Sequence, residues 1–155
     1  TEERQPSRVA RGNRWGTRRV EITDVELLDA SGGKRRVFVT GAEMTIRARY
    51  TAHNRIADPI FGVGIHHANG AHVGGPNTAF ADVPIAAIEG SGQFEYRIPA
   101  LPLLEGSYMI SVSCHSRDDT EMYDFHDRAY ELQVFPGKSK ERYGLFALGG
   151  EWHVG

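Results

Sequence analysis

The chain has 155 residues, 40% of them hydrophobic and 25% charged, with a net charge of −2. That composition describes one globular domain with a core of its own and excludes disorder as the default. The near-neutral charge gives no general attraction to nucleic acid or to an anionic membrane, no apolar run approaches the ~18 residues of a spanning helix, and the single Cys114 excludes an internal disulfide framework and fits a reducing compartment.

Residues 1–19, "TEERQPSRVARGNRWGTRR", are rich in arginine and poor in apolar side chains, and read as a linker or extended arm continuing from a longer chain. From residue 20 to 155 the pattern has period two, broken by turns. Val20 and Ile22 share one face and Val25 and Leu27 resume it out of phase, which predicts a β-bulge near Asp24. "ASGGK" and "TGAE" are turns on either side of a short strand at 36–40. Met44, Ile46, Ala48 and Tyr50 alternate with Thr45, Arg47 and Arg49 in a clear strand. "IFGVGIHH", residues 60–67, runs into Asn69-Gly70, a type I′ hairpin signal. "DVPIAAIEG" has room for one helical turn at most, since Pro84 and Gly90 confine it. Strands follow on Phe94, Tyr96 and Ile98, on Tyr108, Ile110, Val112 and Cys114, and on Tyr130, Leu132 and Val134; the tail "YGLFALGGEWHVG" offers a short terminal strand. Seven to nine strands with scarce helix predict an all-β, antiparallel, immunoglobulin-like sandwich. In "LLEGSYMISV" a leucine, a glycine turn and a tyrosine just inside a strand match the corner many such sandwiches use.

Alternation also reads the outward faces. If Phe61, Val63 and Ile65 point inward, Gly62, Gly64 and His66 point out. By the same count Met109, Ser111, Ser113 and His115 point out on their strand, and Glu131 and Gln133 on the last. Solvated sheet faces carry long charged side chains, as Arg47 and Arg49 do, whereas outward glycines cost stability and imply that something lies flat against the sheet. A shallow floor of glycine and serine rimmed by imidazoles and amides suits a sugar chain, whose hydroxyls pair with planar polar groups and whose C–H faces stack on rings. Tyr123, Asp124, Phe125, His126 and Asp127 are expected in a loop at one end of that face. The candidate carbohydrate-binding residues are thus His66, Ser111, Ser113, His115 and Gln133, with His72 and Asn77 in and after the hairpin and Tyr123, Asp124 and His126 at the rim. The blander alternatives are that Gly62 and Gly64 accommodate packing against a neighbouring segment or subunit, and that the aspartates and aromatics anchor the loop.

Other chemistry finds little support. Among the histidines the close pair His66–His67 is adjacent, so its members point to opposite faces, and no metal site or other cofactor is expected. Trp15 and Trp152 read as packing residues at the two chain ends, and Cys114 as an inert core thiol. "GGKRR" lacks the spacing and hydroxyl of a phosphate-binding loop, and no G-x-S-x-G or H-E-x-x-H is present. The functions left open are a glycan-recognition module, a dimerisation or docking module, and a metal-dependent cupin-like enzyme.

Four ordered segments, "RWGTRRVEITDVELLDASG", "FGVGIHHANGAHVGGPNT", "IPALPLLEGSYMISVSCHSRDD" and "YDFHDRAYELQVF", together with the closing "GLFALGGEWHV", resemble the C-terminal carbohydrate-binding domain of the ATP-binding subunit of O-antigen polysaccharide ABC exporters, the Wzt family. The resemblance spans Arg14 to Trp152. It implies a non-catalytic sandwich that dimerises, sometimes by exchanging its terminal strand. It implies recognition of a lipid-linked O-antigen glycan, often through a cap at its non-reducing end. It further implies a cytoplasmic position beside the inner membrane, a transmembrane partner subunit, and an ATPase domain before residue 1. Gly74 departs from the pattern, for relatives carry a bulkier residue after the hairpin, so the resemblance transfers no particular sugar.

Overall fold

The computed structural model describes residues 13–155. Its strands are β1 (Arg14–Trp15), β2 (Val20–Leu28), β3 (Val37–Val39), β4 (Met44–Ala57), β5 (Pro59–His67), β6 (His72–Gly74), β7 (Ala87–Ile98), β8 (Gly106–Ser116) and β9 (Met122–Phe135). They form two layers. One sheet runs β1-β9-β8-β5-β6, with β3 also alongside β9, and the other runs β2-β4-β7. All pairs are antiparallel except β3 with β9. This is the expected sandwich.

The core is what the alternation dictates. Ile22, Leu27, Met44, Ile46 and Ala48 of the smaller sheet face Val63, Ile65, Tyr108, Ile110, Val112, Leu132 and Val134 of the larger one. Burying each large aliphatic contributes roughly 1.5–3 kcal/mol. Phe61 stacks on Phe94 at 4.4 Å and Tyr50 tilts against Phe61 at 5.3 Å, closing one end of the sandwich. At the other end Leu101, Leu103 and Leu104 are buried, and the Tyr108 hydroxyl donates to the Leu104 carbonyl at 2.6 Å, the corner anticipated from "LLEGSY". The register shift between Ile22 and Asp24 is the anticipated bulge.

Several elements differ from expectation. Residues 1–12 of the arm lie outside the described residues, but Arg14 and Trp15, assigned to that arm, pair with His126 and Phe125 as a sheet strand. Asn69-Gly70 is not a type I′ turn. Only Gly70 is left-handed (φ 97°), its N–H bonds back to the His67 carbonyl, and the His67 N–H bonds to the Ala71 carbonyl. That is a type I turn closed by a glycine bulge. "DVPIAAIEG" makes no helix; β7 begins at Ala87 instead. The tail forms no strand, only a bridge of Phe146 to Leu103, and leaves Tyr143, Leu148, Trp152 and Val154 exposed. "YDFHD" is not a loop but the first half of β9.

Candidate functional site

Cross-strand register shows which side chains share the outer face of the larger sheet. Trp15, Phe125, Ser113, Gly62 and Asn77 lie side by side across β1, β9, β8, β5 and the segment after β6. A second row holds Ser111 and Gly64, and a third Glu131, Met109, His66 and His72. The expected floor therefore exists. A Cβ at position 62 would stand 2.9 Å from Ser113 Oγ, so glycine lets that hydroxyl lie over the strand. At Gly64 a Cβ would make only ordinary contact with Ser111, at 3.5 Å, so glycine there serves the depth of the floor rather than packing beneath it.

Two walls flank this floor. On one side Trp15, 55% exposed, meets Phe125 edge to face at 5.6 Å and 85°. On the other, His66 and His72 stack at 4.6 Å. Burial lowers the pKa of His66, and neighbouring His72 and Arg128 lower it further against the pull of Asp127, so its ring is neutral at pH 7. Its Nδ1 is buried and has no hydrogen-bond partner among the described residues. An orphaned buried imidazole nitrogen is costly, and a ligand hydroxyl is one way to satisfy it. Between the walls β9 bulges, with Asp127 to Ala129 opposite Ser111. Arg128 is left-handed there (φ 49°), its N–H donates to Ser111 Oγ at 2.7 Å, and its guanidinium clasps Asp127 through two bonds of 3.1 and 3.0 Å. Asp127 and Arg128 thus match one another's charge on this face.

The remaining candidates divide. His115 lies outward beside the β8–β9 turn, with Nδ1 held 2.8 Å from the Ser116 carbonyl. Asn77 presents its amide after accepting from the Phe80 N–H at 2.8 Å. Gln133 stands at the far end of β9 and accepts from Ser107 Oγ. Ser111 is buried beneath the Arg128 bulge. Tyr123, Asp124 and His126 require correction: all three are buried and point into the sandwich rather than toward the rim. The physical reason is that the segment is regular strand rather than loop, which places Asp124 opposite Cys114 and His126 opposite Val112, both core positions, in the same phase as Tyr130 and Leu132.

Asp124 is fully buried and fully engaged. Arg14 Nε and Nη2 donate to its two oxygens at 2.9 and 2.7 Å, and the Ile22 N–H donates at 2.7 Å from the opposite sheet. His126 Nε2 lies at 3.3 Å, and its Nδ1 meets the Tyr130 hydroxyl at 2.5 Å. Burial alone would raise the Asp124 pKa, but the bonds from His126, Arg14 and Ile22 hold it down at about 2. Burial likewise pushes the Cys114 thiol up to about 12, an unreactive group.

The profile of the Wzt C-terminal domain family matches residues 11–148. The chain belongs to that family. Membership carries the setting the resemblance implied, the O-antigen exporter. The crystal structure of the C-terminal domain of Wzt superposes with a TM-score of 0.80 at 19% identity, over 91% of this chain and 87% of that one, a likeness that shows the fold. β-Glucuronidase from Parabacteroides merdae (TM-score 0.43, 10% identity, 75% of this chain and 14% of that one) and the CARDB domain of a Pyrococcus furiosus protein (0.39, 13%, 75% and 96%) are too distant to carry an argument. A search of curated proteins gave no match.

Within this Wzt-family sandwich two further features bear on the site. A groove of about 520 Å³ follows the seam between β2 and the β3–β9 edge, but Glu26 in its lining is already paired with Lys34 and Arg47, and Asp24 with Arg49. Among the described residues no group of three or more His, Cys, Asp or Glu is arranged to hold a metal ion, and no helix is long and apolar enough to cross a membrane. The site residues that sequence reasoning missed are Trp15, Phe125 and Arg128. A tryptophan inside an otherwise polar arm was the only signal for the first; the bulge that exposes Arg128 left none.

Proposed function

We propose that the outer face of the β1-β9-β8-β5-β6 sheet binds an O-antigen polysaccharide, as a non-catalytic module that couples recognition of the glycan to its export. The carrying observation is the bare floor of Gly62, Gly64 and Ser113 between an aromatic wall and an imidazole wall, with His66 Nδ1 buried and unpartnered. Ring faces of Trp15 and Phe125 supply the surface on which sugar C–H groups stack. His66, His72, Ser113, Asn77 and His115 supply hydrogen bonds worth on the order of 1 kcal/mol each, because water competes for both partners. A site built of modest contacts releases a polymer during transport more readily than one built around a single deep pocket. The module acts on the cytoplasmic side, with the lipid-linked glycan and the transmembrane subunit as its partners. Residues 20–155 and the strand formed by Arg14 and Trp15 make up the binding domain.

Calorimetric or NMR titration tests this, using polysaccharide released by mild acid from the lipopolysaccharide of the strain that carries the gene. Saturable binding that weakens in His115→Ala and more in His66→Ala supports the reading. A flat titration would leave the sandwich as a docking module. One observation favours an additional role in self-association, namely the exposed Tyr143, Leu148, Trp152 and Val154 in the tail. A homodimer covering these residues sediments as such, and truncation after Gly137 returns it to monomer.

A further inference from the structure

Trp15 and Arg14 are neighbours on a two-residue strand, so their side chains project to opposite sides of the sheet. Trp15 goes outward to Phe125, and Arg14 goes inward to Asp124. So short a strand cannot hold its own position by ladder bonds alone. It is fixed by the forked Arg14–Asp124 pair, by the Asp127 N–H donating to the Asn13 carbonyl at 2.7 Å, and by the Thr17 and Arg18 N–H groups donating to the Met122 and Tyr123 carbonyls. Gly16 allows this approach, since at φ 141° a Cβ there would lie 2.4 Å from the Tyr123 carbonyl oxygen. The forked ion pair that seats β1 is therefore on the hidden side of the sheet, while its one exposed ring forms the aromatic wall.

Resting on the glycan reading above, we infer that Arg14 is a positioning residue that sets Trp15 in the polysaccharide site, so that glycan binding and docking of β1 on β9 are coupled. The coupling is reciprocal by linkage: a sugar that stacks on Trp15 only when β1 is docked stabilises the docked strand, and a pull on the chain before Arg14 weakens the sugar's hold. The covalent path between the site and whatever precedes residue 13 is then a single residue long at its critical step, which gives the domain a means of reporting an occupied face or of being emptied by a movement upstream.

The test uses the 155-residue chain with Trp152→Phe, so that emission comes from Trp15 alone. In this background the released polysaccharide should slow amide exchange at Thr17, Arg18 and Asp127 by about tenfold and shift Trp15 emission. Arg14→Gln should move Trp15 emission to that of a solvated indole and weaken polysaccharide binding at least tenfold. Gly16→Ala, which crowds the Tyr123 carbonyl but keeps both charged groups of the Arg14–Asp124 pair in the chain, should do the same and serves if Arg14→Gln does not fold. Arg49→Gln, a charge removed from the other sheet, should change neither readout. Wild-type affinity in Arg14→Gln or Gly16→Ala with Trp15 undocked, or no protection of the three amides, overturns the coupling while the glycan reading stands. No binding by the background protein overturns the glycan reading, and the coupling with it.

Discussion

The two outer faces of this sandwich are built on opposite plans. On the β2-β4-β7 sheet Arg47 pairs with Glu26 at 2.5 Å, Arg49 with Asp24 at 3.2 Å and Arg97 with Glu43 at 3.1 Å, each a bond across or just beyond neighbouring strands. Long charged side chains there satisfy one another, stay hydrated and discourage edge-on association. The other face has a floor of glycine and serine between imidazole and indole walls, and leaves a buried nitrogen unpaired. The difference separates a surface of cross-strand ion pairs from one with a bare floor and an unpartnered imidazole nitrogen. Solvation explains the first face; occupancy by a ligand is what we propose for the second.

The largest expected effect breaks the contrast from beneath. Asp124→Ala strands the partly buried Arg14 guanidinium and the buried Ile22 N–H and should cost about 3 kcal/mol in urea denaturation, because the carboxylate joins β1 and β9 to the opposite sheet. Next, Gly64→Leu raises a side chain over the floor. Polysaccharide affinity should fall about thirtyfold, roughly 2 kcal/mol, with the thermal midpoint nearly unchanged. Acid gives an effect of similar size on stability. A carboxyl held at about 2 against its ordinary 3.8 contributes stability that is fully present above 3.8 and is lost as pH falls through about 2, on the order of 2 kcal/mol. Asp124→Asn should flatten that part of the stability–pH curve. His66→Ala on the bare face should weaken binding by about 1 kcal/mol, some fivefold by calorimetry. Arg49→Ala on the charged face should change stability by no more than about 0.5 kcal/mol and leave binding alone. Equal losses from the last two variants would erase the distinction between the faces.

Period-two patterning made most of the fold legible, since burying one face of each strand forces alternation wherever the register is regular. Phe61, Val63 and Ile65 against Gly62, Gly64 and His66 could be sorted by counting, and so could Tyr108 to His115. Counting fails at bulges. At Asp127–Ala129 Arg128 turns outward and Ala129 inward against the count, whereas Asp124 and His126 keep the phase of Tyr130 and Leu132 and were misplaced because a loop was expected there. The expected loop also hid Phe125, whose outward direction follows the phase of Glu131 and Gln133. Trp15 escaped for another reason. Two residues carry too little pattern to declare a strand, and its place is set by a contact 110 residues away, between Arg14 and Asp124. Local sequence reports local alternation, while a long-range ion pair leaves no periodic trace.

β9 carries one more consequence. It spans 14 residues, long enough to recruit a foreign chain along its whole exposed border, yet its border is shared by β1 at one end, running antiparallel, and β3 at the other, running parallel. Two fragments from distant parts of the chain thus act as a hem. Intermolecular zippering along the larger layer then meets margins of only two or three residues, in β1, β3 and β6, which are too brief to nucleate a fibril.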